Sequence, residues 1–407
     1  MWLALLVLFV LTLLLLWCFS FYPLLCAVLA RRKARRGTLP KSGNPFTPFV
    51  SVILPTFNEA AVVGARIDNL KNLDYPNDRY EIIVVDSQSP DGTTQIVEQQ
   101  IARYGPQADP NLLLLQTGER QGKAVAINFA LQRSRGEIIV IADANSIYEP
   151  SALTILTAHF ADARVGAVGG RYLVRNVEET LPSLESIYWD VEHVKKMGES
   201  ELDSASGVVG GLSAWRSDGL RFREDRLSED LDACVTCRKN GLSVQYAPNA
   251  LAYEPAATTI GEQIQQRRRV GQGILQVLVS NWRLFLLPHD RYSLIVWSHW
   301  TLSLVSPFLL IAVLTLYALI RDLTTIFAHL SLTAAAAIGS FFAVLLVTRN
   351  FDVKTQRPKK IGIRSFAEGV VYVLLNEYII LLAWSDAIFG RGSVLWEKAE
   401  STREGSK

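Results

Sequence analysis

Residues 81–93 read EIIVVDSQSPDGT, a short β-branched run that ends in Asp86 and is followed by a turn. Similar apolar runs lie elsewhere in the middle of the chain, at residues 50–54, 112–116, 137–142 and 167–174. Helical stretches begin between these runs, near Asn58, Gly92, Gly122 and Pro150. Apolar strands that alternate with helices are typical of a sheet covered on both faces, so the pattern predicts an α/β fold with a mostly parallel sheet.

Polar residues stand where these apolar runs end. Asp86 and Asp143 each follow a run directly, and Asn58 and Glu59 follow the first one. Ligands of such sheets bind beyond the carboxyl ends of the strands, where the strand order reverses. We therefore expect Asp86 and Asp143 on neighbouring strand ends, in one polar cluster around a crevice. For the residues after Asp86, simple turn chemistry is the alternative interpretation.

The charge of the chain is nearly balanced, at +2 over 407 residues, and no basic nucleic-acid-binding motif appears in it. The composition therefore predicts no nucleic-acid partner. Hydrophobic residues make up 49% of the chain and concentrate towards its two ends, whereas the middle resembles a soluble enzyme.

The first apolar stretch, residues 2–30, is long enough to cross a hydrocarbon core of about 30 Å. Positive charge follows it, in Arg31, Arg32, Lys33, Arg35 and Arg36. A cleaved signal peptide has its charge before the apolar core, so this order indicates a retained anchor with a cytoplasmic middle domain.

Three further apolar stretches cover residues 294–320, 323–347 and 366–389, and a basic loop separates the last two. They predict a multi-pass protein of the plasma or inner membrane, in contact with the lipid bilayer. The last stretch contains Glu377 and Asp386, so it is either a span whose polar groups face the bundle or a re-entrant element. The side of the membrane on which Lys407 lies stays open.

These features divide the chain into six consecutive blocks. We expect a transmembrane helix, a basic linker, a catalytic domain, interfacial helices, a C-terminal membrane cluster and a polar tail, at residues 1–30, 31–47, 48–257, 258–290, 291–390 and 391–407.

Six short motifs follow one another along the middle domain. They are Pro55-Thr56-Phe57-Asn58-Glu59, the segment 84–93, Gly122-Lys123-Ala124, Asp143-Ala144-Asn145, Glu229-Asp230 and Gln266-Arg267-Arg268-Arg269-Val270. Their order and spacing resemble the family-2 glycosyltransferases, and within them the membrane-integrated synthases related to cellulose, chitin and hyaluronan synthases. The resemblance implies a GT-A fold, a Rossmann-like and mostly parallel sheet, in the cytosolic domain.

The resemblance also implies a nucleotide-sugar donor, most commonly a UDP-sugar. The residues that match the donor site are Thr56, Phe57, Glu59, Asp86, Lys123, Asp143, Gln266 and Arg269. A lysine ammonium can offset phosphate charge as a mobile point cation. Because a nucleoside diphosphate must leave, we expect a divalent metal, Mg²⁺ or Mn²⁺, on Asp143 and the side-chain carbonyl of Asn145.

The acid pair predicts the catalytic step. Asp230 is the expected general base for the acceptor hydroxyl, and Glu229 orients or supports it. One direct displacement inverts the anomeric centre and gives a β-linkage. Acids after Ser228 also suit a helix start, and both interpretations can hold together. Gly210, Gly211 and Trp215 resemble the family's acceptor loop, with core packing as the alternative for Trp215.

Two residues depart from the family pattern. Asn145 replaces the second acid of the metal motif, and Val270 replaces a tryptophan that packs against the acceptor sugar in chain-extending members. For the arginine run, we expect Arg269 to bind phosphate and Arg267 and Arg268 to serve lipid head groups in part. The helix that carries this run begins with the capping pair Thr259 and Glu262.

Three functions remain in competition. The first is extension of a β-linked polysaccharide, and the second is transfer of one or a few sugars to a lipid acceptor. The third is a non-catalytic membrane assembly subunit, which the presence of Asp86, Asp143 and Asp230 disfavours. The acceptor is accordingly a saccharide or a lipid.

Overall fold

The structure, a computed structural model, describes residues 2–36, 46–104, 111–118, 120–286, 288–320, 324–331, 333, 363–391 and 400–403. It contains two compact units. The helical unit comprises Met1–Arg36, Asp190–Ser206 and Arg267–Arg391, and the sheet unit comprises Gly37–Trp189, Gly207–Gln266 and Gly392–Lys407. This division differs from the six consecutive blocks expected, because each unit is assembled from separate segments of the chain.

The strands are β1 Val50–Thr56, β2 Tyr80–Asp86, β3 Leu112–Gln116, β4 Ile138–Ala142, β5 Ile147–Tyr148, β6 Val165–Val174, β7 Leu212–Arg216 and β8 Ser243–Glu254. The helices are α1 Trp2–Leu16, α2 Tyr22–Arg36, α3 Val63–Lys71, α4 Thr93–Tyr104, α5 Lys123–Leu131, α6 Ala152–Ala158, α7 Thr180–Leu202, α8 Glu229–Lys239, α9 Ile260–Ser280, α10 Trp282–Leu286, α11 Arg291–Val296, α12 Leu302–Ile320 and α13 Ile363–Phe389.

The eight strands form one sheet in the order β3-β2-β1-β4-β7-β6-β8-β5. The strands β3, β2, β1 and β4 are parallel, β7 runs antiparallel to both β4 and β6, and β8 is parallel to β6. The sheet is therefore mixed but mostly parallel, as predicted. The strand order reverses between β1 and β4, which is where such sheets bind ligands.

The five predicted strands match β1, β2, β3, β4 and β6 to within two residues at either end. All seven residues of β2 and all five of β4 are buried, as expected for strands with helices on both faces. The strands β5, β7 and β8 were not predicted. For β7 the reason is that Gly210 and Gly211 made residues 207–216 resemble a loop.

Three helical stretches of the described chain are long and apolar enough to cross a membrane: Trp2–Arg32, Arg291–Ile320 and Val371–Phe389. Single π-turns at Trp17–Phe21 and Trp297–Thr301 join consecutive helices within the first two stretches. Most of the stretch predicted at 323–347 lies outside the described residues.

The polar groups of the last stretch face other residues of the helical unit. Ser306 Oγ donates to both carboxylate oxygens of Glu377, at 3.0 and 2.8 Å. Asp386 is 1% exposed and accepts from Arg268 and Gln272. α13 is one continuous helix over 27 residues. Of the two alternatives for this stretch, the structure therefore agrees with a helix whose polar groups face inward and not with a re-entrant element.

A buried charged cluster explains why the end of α7 belongs to the helical unit. His299 Nδ1 lies 2.6 Å from Glu199 Oε1, and its Nε2 lies 3.0 Å from Glu192 Oε2. Tyr22 Oη donates to Glu199 Oε1 at 2.7 Å. Buried carboxylates require partners of this kind, so the cluster holds α7 against the apolar helices.

The backbones of α7 and α2 meet at Gly198, where an added Cβ would lie 2.4 Å from Cys26 Cα. We expect Gly198→Ala to destabilise the protein by roughly 1–3 kcal/mol, because the helices must move apart. Thermal denaturation of the purified protein in detergent measures the effect. Gly261→Ala in α9 is the matched control, since no atom lies within 4 Å of its added Cβ. Equal melting temperatures for the two variants would contradict the expectation.

Candidate active site

The carboxyl ends of three parallel strands meet at one edge of the sheet. Thr56 and Asp86 are directly paired at the ends of β1 and β2, and Asp143 follows β4, which pairs with β1 on its other side. The prediction that Asp86 and Asp143 lie on neighbouring strands is wrong, because β1 lies between their strands. The expected cluster at one edge is nevertheless present.

The Asp86 carboxylate organises the turn that follows it. This fully buried group accepts four hydrogen bonds, from Thr56 Oγ1, the amide and hydroxyl of Ser89, and Thr94 Oγ1, at 3.1, 3.0, 2.5 and 2.9 Å. A carboxylate has about four lone-pair sites, so protein donors fill them here. Contact between Asp86 and a base stays a prediction, and it requires one of these donors to give way.

The turn after β2 also fixes the loop after β1. Asp91 Oδ2 accepts from the Ala60 amide at 3.0 Å, and Thr93 Oγ1 accepts from the Glu59 amide at 2.8 Å. Burial opposes ionisation of Asp91, but hydrogen bonds from Thr93 and Ala60 more than offset it and lower the pKa of the carboxyl. The turn-chemistry interpretation therefore holds for this segment, and the turn positions Glu59.

Lys123 links two of the acidic motifs. It is the first residue of α5, behind Gly122 at φ +106°. Its Nζ donates to Asp143 Oδ1 at 2.6 Å and lies 3.9 Å from Glu229 Oε1. Burial alone would raise the pKa of Asp143, but the Lys123 ammonium outweighs burial and lowers it. Burial alone would likewise lower the pKa of Lys123, and the neighbouring acids raise it instead.

The predicted catalytic pair lies in the first turn of α8. Glu229, Asp230 and Asp232 all occupy this turn, where the helix dipole favours negative charge. Asp230 Oδ1 accepts from the Leu231 amide at 2.8 Å. The helix begins at Glu229, as the helix-start interpretation predicted, and Ser228 occupies its N-cap position without a side-chain capping hydrogen bond.

Two glycines bring the backbone against these acids. A Cβ on Gly211 would lie 2.6 Å from Asp143 Oδ2, and one on Gly210 would lie 3.2 Å from Asp230 Oδ2 and 3.6 Å from Lys123 Nζ. A Cβ at position 211 would therefore displace the Asp143 carboxylate, and one at position 210 would require the Asp230 carboxylate to shift by a few tenths of an ångström.

Sequence reasoning missed Glu254, the last residue of β8. Asn145 Nδ2 donates to Glu254 Oε1 at 2.8 Å. Burial, together with the Asp143 charge, raises the pKa of Glu254 to about 7. An acid at the end of an apolar run was the criterion that identified Asp86 and Asp143. The run 250–253 (ALAY) before Glu254 meets it.

The oxygen ligands at this site fit a hard divalent cation whose remaining ligands are substrate phosphates and water. Among the described residues, no three His, Cys, Asp or Glu side chains form a metal-binding group. Asp143 and the Asn145 carbonyl would supply two oxygens. Magnesium in particular is usually held by one or two protein carboxylates together with substrate phosphates and water.

Other predicted site residues have varied positions. Trp215 is 1% exposed in β7, with its Nε1 donating to Ser213 Oγ at 2.9 Å, so its acceptor role is corrected to core packing. Phe57 lies under the Arg120 guanidinium, 4.0 Å from ring centroid to Cζ. Gln266 is exposed on α9. Arg269 belongs to the helical unit, and its role towards the donor stays a prediction.

The rest of the arginine run contacts α13. Arg268 pairs with Asp386, and Arg267 Cζ lies 5.6 Å from the centroid of the Tyr372 ring. Both contacts are to protein groups, and partial contact of Arg267 and Arg268 with lipid head groups stays a prediction. The capping pair is confirmed, because Thr259 Oγ1 and the Glu262 carboxylate are hydrogen-bonded at 3.0 Å where α9 begins.

We expect Gly211→Ala to displace the Asp143 carboxylate and to weaken Mn²⁺ binding while the fold is kept. Electron paramagnetic resonance of Mn²⁺, titrated with the protein, measures free and bound metal. Gly118→Ala, whose added Cβ has no atom within 4 Å, is the control. Undiminished Mn²⁺ binding by Gly211→Ala, with a melting temperature like that of the control, would show that Asp143 needs no such clearance.

Comparison with known proteins identifies the family of the chain. Residues 51–221 match the model of Glycosyl transferase family 2, and residues 138–347, more than half of the chain, match Glycosyl transferase family group 2. The mannosyltransferase PcManGT of Pyrobaculum calidifontis, solved in complex with GDP-Man and Mn²⁺, has a similar fold. Its TM-score is 0.66 at 24% identity, over 95% of this chain and 99% of that one.

Two relatives are named for different products. A poly-β-1,6-N-acetyl-D-glucosamine synthase of Staphylococcus epidermidis is 22% identical over 87% of both chains. A β-monoglucosyldiacylglycerol synthase of Nostoc sp. is 28% identical over 59% of this chain, and the match covers about half, 52%, of that relative. From the family matches and the GT-A-like sheet with its acidic edge, the chain belongs to the family 2 glycosyltransferases.

Proposed function

We propose that this protein is an inverting, membrane-bound glycosyltransferase that adds sugars from a nucleotide donor, most simply a UDP-sugar, to a growing β-linked polysaccharide. The observation that carries the proposal is the placement of Lys123 between Asp143 and the acid pair of α8. This arrangement brings a phosphate-compatible cation, a metal-compatible carboxylate and a base to one edge of the sheet.

The donor would occupy the carboxyl edge of β1, β2 and β4. Glu59, Asp86 and the Phe57 ring suit the base and ribose. Bound at Asp143 and Asn145, Mg²⁺ or Mn²⁺ would neutralise charge on the departing diphosphate. Lys123 contributes a fixed positive charge at the same place, and the neighbouring carboxylates keep it protonated.

The chemical step requires a base beside the acceptor. Asp230 takes the proton of the acceptor hydroxyl while the hydroxyl oxygen attacks the anomeric carbon. The bond between that carbon and the diphosphate oxygen breaks, and the nucleoside diphosphate leaves with the electron pair. The proton ends on Asp230, and a single displacement inverts the anomeric centre. Glu229, within 3.9 Å of Lys123, supports the pair electrostatically.

The share of this chain that each relative matches supports a polysaccharide acceptor. The match to the poly-β-1,6-N-acetyl-D-glucosamine synthase spans 87% of this chain, whereas the match to the glucosyldiacylglycerol synthase spans 59%. The second candidate is transfer of one or a few sugars to a lipid. Val270 favours it, because an aromatic platform for a sugar chain is missing at that position.

We also propose a location in the plasma or inner membrane, which the same features support. Three described helical stretches are able to span a bilayer, and the first is followed by five basic residues between Arg31 and Arg36. Positive flanking charge is retained on the cytoplasmic side. The sheet unit would then have access to cytoplasmic nucleotide sugars.

Asp230→Asn should lower kcat by about 100-fold or more, because general-base catalysis of this kind contributes roughly 10²–10⁴-fold. Donor affinity should stay unchanged, since the base acts on the acceptor. Release of nucleoside diphosphate from a panel of UDP- and GDP-sugars measures the rate and also identifies the donor. The exposed Asp225→Asn is the control. Full turnover by Asp230→Asn would rule out Asp230 as the base.

Product length decides between the two acceptors. With the preferred donor labelled, the purified protein in lipid nanodiscs should give a ladder or a long polymer on size-exclusion chromatography. A labelled product that extracts with lipids and carries one or a few sugars would instead establish the lipid transferase.

A further inference from the structure

A fully buried arginine of α3 contacts the backbone of the metal motif. Arg66 is 0% exposed, and its Nε donates to the carbonyl oxygen of Asp143 at 3.0 Å. Its Nη1 donates to Asn69 Oδ1 at 2.5 Å, and its Cζ lies 3.9 Å from the centroid of the Tyr148 ring. None of these three contacts is with a carboxylate. Within the described part of the chain, Nη2 of Arg66 has no hydrogen-bond partner.

Both acceptors of Arg66 have a second protein donor. Ser146 Oγ donates to the Asp143 carbonyl at 3.0 Å, and the Tyr148 amide donates to Asn69 Oδ1 at 2.9 Å. Loss of Arg66 would therefore leave neither acceptor without a hydrogen bond. Burial of a charge without an opposite charge costs free energy, and an apolar side chain of similar volume often serves the fold as well or better. This cost indicates that the guanidinium has a function other than stability.

Tyr148, on β5, extends the contact to the backbone before β7. Asn69 fixes the Tyr148 backbone from both sides, since its Nδ2 also donates to the Tyr148 carbonyl at 2.9 Å. Tyr148 Oη lies 2.5 Å from the Gly211 carbonyl oxygen and 3.2 Å from that of Ile141. A tyrosine hydroxyl has one proton to donate, and the shorter contact with Gly211 suits it better. The Tyr148 side chain therefore connects Arg66 to Gly211.

This network holds both sides of the closest approach in the site. Arg66 fixes the backbone of Asp143, and Tyr148 fixes the backbone of Gly211, whose added Cβ would lie 2.6 Å from Asp143 Oδ2. The two backbone segments together limit the orientations open to the Asp143 carboxylate. Groups that orient a metal ligand control metal affinity nearly as strongly as the ligand itself.

We propose that Arg66 and Tyr148 are positioning residues, which hold the Asp143 carboxylate in the orientation that binds the divalent metal. The inference rests on the proposed function, because it assumes that Asp143 is a metal ligand. Arg66 acts through the Asp143 backbone and Tyr148 acts through Gly211, so neither side chain has to touch the metal.

Replacing Arg66 by methionine separates positioning from stability. Arg66→Met removes the charge and both donors but keeps a long, unbranched side chain. In full-length protein in detergent it should weaken Mn²⁺ binding roughly 10-fold, the lower end of the range for groups that orient metal ligands. Electron paramagnetic resonance of Mn²⁺, titrated with the protein, measures the binding. The melting temperature should not fall, because a buried charge is removed and no acceptor loses its last donor.

Two further variants test the two arms of the network. Tyr148→Phe removes only the hydroxyl that contacts Gly211, and it should weaken Mn²⁺ binding in the same direction as Arg66→Met. Arg66→Lys should recover part of the loss, because an ammonium can still donate to the Asp143 carbonyl but lacks the second fixed donor.

Arg216→Met is the matched control. Like Arg66, Arg216 donates to backbone carbonyls, those of Val165 and Phe160, and its Cζ lies 5.5 Å from the centroid of the Phe160 ring. It pairs with Ile138 at the start of β4, whereas Asp143 follows the end of that strand. Mn²⁺ binding by Arg216→Met should therefore equal that of the wild type.

The outcomes distinguish this inference from the function on which it rests. Wild-type Mn²⁺ binding by Arg66→Met or by Tyr148→Phe would overturn the inference and leave the proposed function intact. A lower melting temperature of Arg66→Met than of the wild type would mean that Arg66 supports the fold. Wild-type protein that binds no Mn²⁺ would defeat the expected metal site and this inference together. Because no donor is added, a wrong assignment of donor or acceptor does not affect the result.

Discussion

Four acidic side chains, Asp143, Glu229, Asp230 and Glu254, lie near one edge of the sheet, and like charges at short range oppose one another's ionisation. The Lys123 ammonium, 2.6 Å from Asp143, makes this cluster tolerable. It keeps Asp143 ionised despite burial, whereas burial and the Asp143 charge raise the pKa of Glu254 to about 7. The small residues at 210 and 211 then follow from the space that these carboxylates occupy.

A second constraint is that the same carboxylates serve structure and chemistry. Asp86 uses its oxygens to hold the turn of residues 87–94, and Asp91 ties that turn to the loop that carries Glu59. Ordering the loops at the carboxyl edge of the sheet loses conformational entropy. This loss occurs during folding and therefore does not weaken ligand binding. Polar residues that the sequence marks as ligand-binding can therefore serve mainly to position other residues.

The parallel half of the sheet could be predicted because its strands are continuous apolar runs, and a buried strand leaves that signature. The strands β7 and β8 lack it. The first follows two glycines, and the second contains Pro248 and irregular pairing with β6. Site residues that follow apolar runs, such as Asp143, were also found. Glu254 follows a run that was not recognised as a strand. The ion pair of Arg403 with Glu59, at 3.2 Å, joins residues 344 positions apart, and no local pattern in the sequence encodes such a contact.

The sheet unit is discontinuous in the chain, and this orders its assembly in time. Residues 46–189 leave the ribosome after α1 and α2 but before the later membrane helices, whereas residues 400–403 follow α13, the last described helix of the helical unit. Domains fold as units during synthesis, so most of the sheet can form while membrane insertion is still under way. The described part of the sheet unit is therefore complete only after every described membrane helix has been synthesised, so its final contacts form last.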